Sequence, residues 1–166
     1  MNMPRITKKS VTCFLKNGEE YLFIHRTKKG NDSDANRLNG IGGKLEYGEN
    51  FLQAAVRETY EETGYVVAPE ECVFRALINM QGGYQEDWVI CFFVIEVPTR
   101  AIPFGSENDE GQLIWLHKDA VLTSPYELVD DLHYCWERLV NTQDFLHIGA
   151  VVNDAEKIET FALQTA

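Results

Sequence analysis

Three glutamates in this chain have the spacing of a metal site: Glu58, Glu61 and Glu62. Residues separated by three and four positions lie on one face of a helix, so we expect the three carboxylates to converge. Carboxylates at close range repel one another unless a cation lies between them. Hard oxygen ligands of this kind suit Mg²⁺, for which Mn²⁺ can substitute. The spacing therefore predicts a divalent-cation site of the kind that acts on phosphate groups.

The alternative interpretation of these glutamates is a solvated acidic helix face. A surface helix of that kind usually carries lysines four residues from its glutamates. Residues 51–63 contain no lysine. The metal-site interpretation is therefore favoured.

The three glutamates belong to a longer motif, Gly-x5-Glu-x7-Arg-Glu-U-x-Glu-Glu-x-Gly-U, in which U is an aliphatic residue. Its fixed positions are occupied by Gly43, Glu49, Arg57, Glu58, Glu61, Glu62 and Gly64. The chain departs from the pattern at both U positions, with Thr59 and Tyr65. This motif is the Nudix box, and the chain resembles the Nudix hydrolases. These are Mg²⁺-dependent enzymes that split nucleoside diphosphates linked to another group.

The resemblance implies a role for each charged residue of the box and for one further glutamate. Arg57 and Glu49 would tie the loop to the helix. The general base that takes a proton from the attacking water would be Glu61, Glu62 or Glu110. For Glu110, a plain acidic loop is the alternative. The implied metal ligands are the carbonyl group of Gly42 and the side chains of Glu58, Glu61, Glu62 and Glu110.

The run Asn39-Gly-Ile-Gly-Gly-Lys44 narrows the range of expected substrates. Glycines let a backbone approach phosphate groups closely. The run resembles MutT-type members, which hydrolyse purine nucleoside triphosphates, including oxidised ones. That resemblance implies that Lys44 contacts phosphate and that Asn39 contacts the base. The alternative for Asn39 is a turn residue in the left-handed conformation.

Three more residues are candidates for binding the nucleotide. Asp130 and Asp131 fall where related oxidised-purine enzymes bind the base, but acidic residues are also favoured at a helix N-terminus for electrostatic reasons alone. Leu128 replaces the tryptophan that precedes this pair in some relatives. Arg26 follows a predicted strand, where relatives place a basic residue near the nucleotide. A surface charge is the alternative for Arg26.

We therefore expect Mg²⁺-dependent hydrolysis of nucleoside di- or triphosphates. The favoured substrate is a purine nucleoside triphosphate or 8-oxo-dGTP, which water attack on phosphorus would convert to the monophosphate and pyrophosphate. Alternative substrates are nucleoside diphosphates such as GDP or dGDP, ADP-ribose and capped RNA. Dinucleoside polyphosphates are a further alternative, because Tyr84 lies near the place of a tyrosine in that subgroup. The alternative to an enzyme is a non-catalytic nucleotide-binding module.

Composition restricts the number of domains, the partners and the cellular location that we expect. With 166 residues and 45 % hydrophobic content, we expect a single Nudix domain over residues 1–166. The net charge of −11 argues against a nucleic-acid polymer or an anionic membrane as partner. The four cysteines form no Cys-x-x-Cys pair, and no secretory signal or membrane span is evident, so we expect a cytoplasmic location. The expected partner is the nucleotide substrate, and a homodimer is left open.

The helix that carries the glutamates has its own start and stop signals. Asn50 is a good N-cap, and Gln53 three residues later completes a capping box. Gly64 suits the left-handed residue that ends a helix. The expected buried stripe consists of Leu52, Ala55, Val56 and Thr59. Because the glutamates lie beside this stripe, we expect them at the edge of a cleft, partly shielded from water.

The remaining patterns predict strands and a second helix. A loop is predicted over residues 28–37. The second helix is predicted over residues 128–141. Strands are predicted over residues 11–16, 21–25, 73–79, 88–97, 113–117, 145–152 and 157–163. Together these elements predict a mixed β-sheet flanked by helices, an α/β/α sandwich, which is also the fold that the Nudix resemblance implies.

Overall fold

The computed structural model describes residues 4–28, 34–83 and 86–166. Tyr84 and the middle of the predicted 28–37 loop lie outside these residues. Two α-helices are formed, α1 (Phe51–Thr63) and α2 (Asp130–Asn141). The strands are β1 (Ile6–Asn17), β2 (Glu20–His25), β3 (Leu38–Asn39), β4 (Ile41–Lys44), β5 (Cys72–Gly82), β6 (Glu86–Glu96), β7 (Gln112–His117), β8 (Leu146–Val152) and β9 (Ile158–Thr165).

All of these strands belong to one mixed sheet. Its main path runs β3-β2-β1-β6-β5-β8-β9, with β4 paired to β1 and β7 paired to β2. Strands β1 and β6 are parallel, as are β5 and β8, and the other pairs are antiparallel. The predicted mixed sheet is therefore confirmed.

The two helices cover opposite faces of the sheet. Side chains alternate along a strand, so β1 sends Cys13 to one face and Phe14 to the other. Cys13 packs in one core cluster with Ala55 of α1, whereas Phe14 packs in a second cluster with Trp136 and Leu139 of α2. The predicted α/β/α sandwich is confirmed. No helix among the described residues is long and apolar enough to cross a bilayer.

Local signals set the ends of α1 as expected. Asn50 accepts a hydrogen bond from the Gln53 backbone N–H at 2.9 Å, and the Gln53 side chain accepts one from the Asn50 N–H at 3.0 Å. Gly64 ends the helix in the left-handed conformation, with φ of 82°. The capping box and the glycine therefore fix where the glutamate-bearing helix starts and stops.

Several predicted boundaries need correction. Strand β1 begins at Ile6, because residues 6–10 pair with β6 although most of them are polar. No strand was predicted in the glycine run, yet residues 38–39 and 41–44 form short strands. Helix α2 begins at Asp130 because Leu128 instead pairs with Leu38 of β3. These differences share one cause, since each depends on a partner strand distant in sequence.

Candidate active site

The glycine run places backbone, without side chains, directly against α1. A Cβ atom at residue 43 would lie 2.5 Å from Glu58 Oε1. A Cβ atom at residue 42 would collide with the carbonyl oxygen of Val11. The backbone N–H of Gly42 lies close enough to the carboxyl group of Glu62 to oppose the rise of its pKa. Glycine at these positions therefore lets β4 approach two of the three box glutamates.

Glu58 and Glu62 are more deeply buried than the sequence predicted. Their exposed fractions are 9 % and 8 %, which corrects the expectation of a partly shielded cleft edge. The reason is that this side of α1 faces β4, where the glycines leave room for carboxyl groups. Burial, together with the charges of Glu110 and Glu58, raises the pKa of Glu62 to about 9. Burial also raises the pKa of Glu58, although Arg57 opposes that effect.

Arg57 connects the loop before α1 to the helix itself. Its Nε and Nη2 atoms donate to the two carboxylate oxygens of Glu49, at 2.7 and 2.9 Å. Nη2 also donates to the carbonyl of Lys44 at 3.1 Å, and Nη1 donates to Glu58 at 2.7 Å. The Glu49–Arg57 pair that the sequence predicted is present. A bidentate guanidinium–carboxylate pair of this kind fixes geometry as well as charge.

Glu61 is more exposed than the two buried glutamates. Its side chain is 55 % exposed and accepts a hydrogen bond from Arg57 Nη1 at 3.1 Å. In the part of the chain that the structure describes, no three His, Cys, Asp or Glu side chains are arranged to hold a metal ion. Glu58 and Glu61 both accept from Arg57 Nη1, which lies between them and balances their charges. The metal site that the sequence predicts therefore stays a prediction.

The donor set nevertheless fits a divalent cation. Glu62 Oε2 is buried and has no hydrogen-bond partner among the described residues. Leaving a buried carboxylate oxygen without a partner costs free energy, which a cation would offset. After burial, the charges of Glu110 and Glu58 raise the pKa of Glu62, and those of Glu61 and Glu110 raise the pKa of Glu58, as expected for carboxylates that lack a cation between them. Their hard oxygen atoms suit Mg²⁺ or Mn²⁺.

Glu110 and Arg26 lie beside Glu62. Arg26 Nη2 is 3.4 Å from Glu110 Oε2. The charge of Glu110 raises the pKa of Glu62, and that of Arg26 lowers it, so the three groups form one electrostatic cluster. The side chain of Arg26 is largely buried, which excludes the surface-charge alternative. The same contacts place Glu110 in this cluster, and its role as metal ligand or base stays a prediction.

Asn108 is a site residue that the sequence analysis missed. Its Nδ2 atom donates to the carbonyl of Glu62 at 3.2 Å, and its Oδ1 atom accepts from the N–H of Glu110 at 2.9 Å. It therefore joins the loop that carries Glu110 to the end of α1. An asparagine two residues before the candidate glutamate is typical of an Asx turn, and that signal could have identified it.

The candidate base-contacting residues lie at a second position, where β3 meets the start of α2. The Leu38 N–H donates to the carbonyl of Glu127 at 2.7 Å, and the Val129 N–H donates to the carbonyl of Leu38 at 3.1 Å. These bonds bring Asn39 and the N-terminus of α2 close together. The left-handed alternative for Asn39 is wrong, because it lies in β3 and is not among the non-glycine residues with positive φ. Its Oδ1 atom accepts from the Gly40 N–H at 2.8 Å.

The two aspartates at this position differ in environment. Asp130 lies 3.3 Å from Arg37 Nη1 and 3.6 Å from Lys157 Nζ, so it is held in ion pairs. Asp131 is 8 % exposed. Burial raises its pKa to about 7, and the charge of Asp34 contributes in the same direction. Asp131 can therefore be a hydrogen-bond donor or an acceptor near neutral pH. Arg37 was missed, because nothing in its local sequence relates it to Asp130.

Lys44 is not brought together with the glutamates. It follows Gly43 in β4, and successive side chains of a strand point to opposite faces. Since Gly43 faces Glu58, the side chain of Lys44 extends to the other face, where it is exposed. Its Nζ atom lies 5.8 Å from the ring centroid of Trp88.

Comparisons with known proteins agree with this architecture. The family model described as NUDIX domain matches residues 7–136. The uncharacterised Nudix hydrolase YvcI of Bacillus subtilis (strain 168) is 30 % identical over 105 residues, which are 62 % of this chain and 61 % of that protein. The match thus spans about three fifths of that relative's length.

Solved structures extend the likeness to nearly the whole chain. A mutator MutT protein of Bacillus halodurans has a TM-score of 0.79 at 19 % identity and covers 95 % of this chain and 97 % of its own. A MutT protein of Methanosarcina mazei Go1 has a TM-score of 0.68 at 18 % identity and covers 84 % and 97 %. At these identities the likeness shows the fold.

Proposed function

The chain belongs to the NUDIX domain family, and from that premise we propose that it is a divalent-metal-dependent pyrophosphohydrolase of purine nucleoside triphosphates. Its substrates would include oxidised ones such as 8-oxo-dGTP, and its products would be the monophosphate and pyrophosphate. One observation carries the proposal. The buried Glu62 carboxyl group has one oxygen atom without a hydrogen-bond partner in the described residues, at the place where the glycine run meets α1.

The residues proposed to hold Mg²⁺ or Mn²⁺ are Glu58, Glu62 and Glu110, with Glu61 and the carbonyl of Gly42 as further ligands. A bound ion of this kind polarises phosphate oxygens and lowers the pKa of a water molecule. Arg57 positions Glu58 through the 2.7 Å hydrogen bond and positions the loop through Glu49. Arg26 balances the negative charge of Glu110.

We assign the general base to one of Glu61, Glu62 and Glu110. Glu61 is open to solvent, and Glu110 lies between Arg26 and the buried Glu62. In either place a carboxylate could accept a proton from water as the water oxygen attacks phosphorus. The P–O bond to the bridging oxygen breaks, and the two phosphate products separate.

The base-contacting residues are proposed to be Asn39 and Asp131. A purine presents donors and acceptors on its edge, and Asp131 can match either, because its pKa is close to neutral. Met80 and Ile90 are partly buried hydrophobic residues that pack against the same core cluster as α2. We propose that they supply an apolar wall for the ring, as is common in nucleotide pockets.

Mg²⁺-dependent product release tests the proposal. The panel comprises canonical and 8-oxo nucleoside di- and triphosphates, ADP-ribose and diadenosine polyphosphates. Wild-type protein should hydrolyse purine triphosphates, and Glu62→Gln should lose at least about 100-fold in rate. Glu70→Gln is the matched control, since Glu70 is exposed and remote in sequence from the box. Equal rates for wild type and Glu62→Gln would contradict the assignment.

Other results with this panel of nucleotides would change the substrate assignment. Preference for diphosphates or dinucleotides would retain the metal residues and exclude the triphosphate assignment. Binding of nucleotides without turnover would favour a binding module. The single domain over residues 1–166, a homodimer and a cytoplasmic location remain predictions from the sequence.

A further inference from the structure

One asparagine side chain joins α1 to the loop that carries Glu110. We call residues 104–111 the Glu110 loop. Asn108 Nδ2 donates to the carbonyl oxygen of Glu62 at 3.2 Å. Its Oδ1 atom accepts from the backbone N–H groups of Glu110 at 2.9 Å and of Gly111 at 3.1 Å. The side chain therefore contacts the backbone of two residues whose carboxylates are proposed metal ligands, Glu62 and Glu110.

The Glu110 loop is seated on the C-terminus of α1. The last carbonyl groups of a helix have no partner within the helix. Here the carbonyl of Thr63 accepts from the Phe104 N–H at 3.0 Å, and the carbonyl of Glu62 accepts from Asn108. A Cβ atom at residue 64 would lie 2.7 Å from Phe104 Cδ1, so glycine at this position also lets the loop approach. Two residues of the loop are thereby held by successive carbonyl groups of the helix.

The bond to Glu62 is the long-range part of these contacts. Asn108 precedes Glu110 by two residues, so its bonds to Glu110 and Gly111 shape the loop locally, as an Asx turn does. Glu62, by contrast, lies 46 positions earlier in the chain. The bond from Nδ2 to the Glu62 carbonyl therefore fixes where the turn lies relative to the helix.

Glu62 and Glu110 also interact through their side chains. After burial, the charge of Glu110 is the largest cause that raises the pKa of Glu62. Arg26 Nη2 lies 3.4 Å from Glu110 Oε2, and the Lys28 N–H donates to the Glu110 carbonyl at 3.1 Å. Groups that orient metal ligands tune the affinity for the metal, and altering them typically lowers that affinity by about 10- to 100-fold. The support of Glu110 therefore bears on the binding of a cation.

We propose that Asn108 is a positioning residue of the metal site, which fixes Glu110 relative to Glu62 and thereby sets the affinity for a divalent cation. The inference rests on the proposed function, in which both carboxylates hold Mg²⁺ or Mn²⁺. Asn108 acts through the carbonyl of Glu62 and the backbone of Glu110. The simpler alternative is that Asn108 only shapes its own turn.

Asn153 offers a matched control for that alternative. Its Oδ1 atom accepts from the N–H groups of Ala155 at 2.9 Å and Lys157 at 3.0 Å, in the turn between β8 and β9. Strands β8 and β9 end the main path of the sheet at one side, whereas β7 pairs with β2 near the other side. Asn153→Ala therefore removes a similar turn-forming oxygen in a part of the sheet remote from the Glu110 loop.

Calorimetric titration with Mn²⁺ tests the inference. Asn108→Ala should raise the Mn²⁺ Kd by about 10- to 100-fold, whereas Asn153→Ala should change it by less than about twofold. Asn108→Ser keeps an oxygen that can accept from the turn, but its side chain is too short to reach the Glu62 carbonyl. Its Kd should therefore rise as in Asn108→Ala. Urea unfolding shows whether each titrated variant is folded.

Wild-type Mn²⁺ affinity in Asn108→Ala or in Asn108→Ser would overturn the inference. An equal loss of affinity in Asn108→Ala and Asn153→Ala would also overturn it, because a turn-forming role alone would then explain the effect.

A double-mutant cycle with Glu110→Gln shows whether Asn108 acts through Glu110. In the Glu110→Gln background, Asn108→Ala should change the Mn²⁺ Kd by less than about twofold, because the residue that it positions no longer binds the ion. An undiminished effect in that background would mean a general loosening of the site and would overturn the inference.

Failure of the proposed function gives different results. Wild-type protein that binds Mn²⁺ but hydrolyses no nucleotide would contradict the proposed function alone, and the titrations would still test Asn108. Wild-type protein that binds no Mn²⁺, or Glu110→Gln that binds Mn²⁺ as tightly as wild type, would overturn both the proposed ligands and this inference.

Discussion

The backbone of Gly43 lies against the carboxyl group of Glu58, so that a Cβ atom at residue 43 would stand 2.5 Å from Glu58 Oε1. Backbone and carboxylate are this close because β4 packs beside the buried face of α1. Arg57 holds Glu58 from the other side through a 2.7 Å hydrogen bond. Glu58 therefore has little freedom to move aside, and its position depends on a residue without a side chain.

Gly43→Ala should displace Glu58 and lower Mg²⁺-dependent activity by about 10- to 100-fold, the range seen when the support of a metal ligand is altered. Gly149→Ala is the control, because a Cβ atom there meets nothing within 4 Å. Steady-state rates at several Mg²⁺ concentrations measure the effect. Activity of Gly43→Ala equal to that of Gly149→Ala would show that the contact with Gly43 does not fix Glu58 for the reaction.

Metal binding should strengthen as the pH rises. The pKa of Glu62 is raised to about 9 in the metal-free protein, chiefly by burial, so Glu62 carries a proton at neutral pH. A metal ion binds the deprotonated carboxylate, and its binding therefore releases that proton. Calorimetric titration with Mn²⁺ in buffers of different ionisation enthalpy measures the released protons. Glu62→Gln should release fewer protons on binding Mn²⁺, whereas Glu70→Gln should release as many as wild type. An unchanged proton release in Glu62→Gln would refute the assignment of Glu62 as a metal ligand.

The free energy of unfolding of Asp131→Asn should rise relative to that of wild type as the pH rises from 4 to 8. The pKa of Asp131 is raised from 3.8 to about 7 by burial. The folded protein therefore holds a proton that the unfolded chain releases between these values, so raising the pH across this window destabilises wild type. Each unit of difference between folded and unfolded pKa corresponds to about 1.4 kcal/mol. Asparagine cannot ionise, and the variant should lose this dependence.

Urea unfolding at several pH values measures the effect at Asp131. Asp154→Asn is the control, because Asp154 is exposed in the turn between β8 and β9. Its stability should follow wild type at every pH. A wild-type pH dependence in Asp131→Asn would mean that Asp131 titrates normally in the folded protein.

Arg57→Lys should destabilise the protein by about 1 to 3 kcal/mol, because lysine cannot replace the bidentate bond to Glu49. The carboxylate of Glu49, which is largely buried, would then have too few hydrogen-bond donors. The loop before α1 should loosen, and activity should fall with stability. Arg100→Lys, at an exposed position, is the control. Chemical unfolding together with hydrogen exchange of the 44–50 amides measures both effects. Wild-type protection of those amides in Arg57→Lys would show that another contact holds the loop.

The sequence by itself determined the elements whose causes are local. The start and end of α1 follow from Asn50, Gln53 and Gly64, since capping involves residues only a few positions apart. The box spacing identified the family, and alternating apolar runs identified most of the strands. The resemblance to the family also implied the Glu49–Arg57 pair, which joins the loop to the helix that follows it.

Tertiary structure alone decided which of these residues meet. Arg26 and Glu110 lie 84 positions apart in the chain, and Lys8 and Trp88 lie 80 apart. Such contacts depend on the register of β1 with β6 and on the loops beside β7, which no local pattern specifies. The burial of Glu58 and Glu62 and the outward turn of Glu61 have the same origin. They follow from β4 packing against one side of α1 and from Arg57 occupying the other.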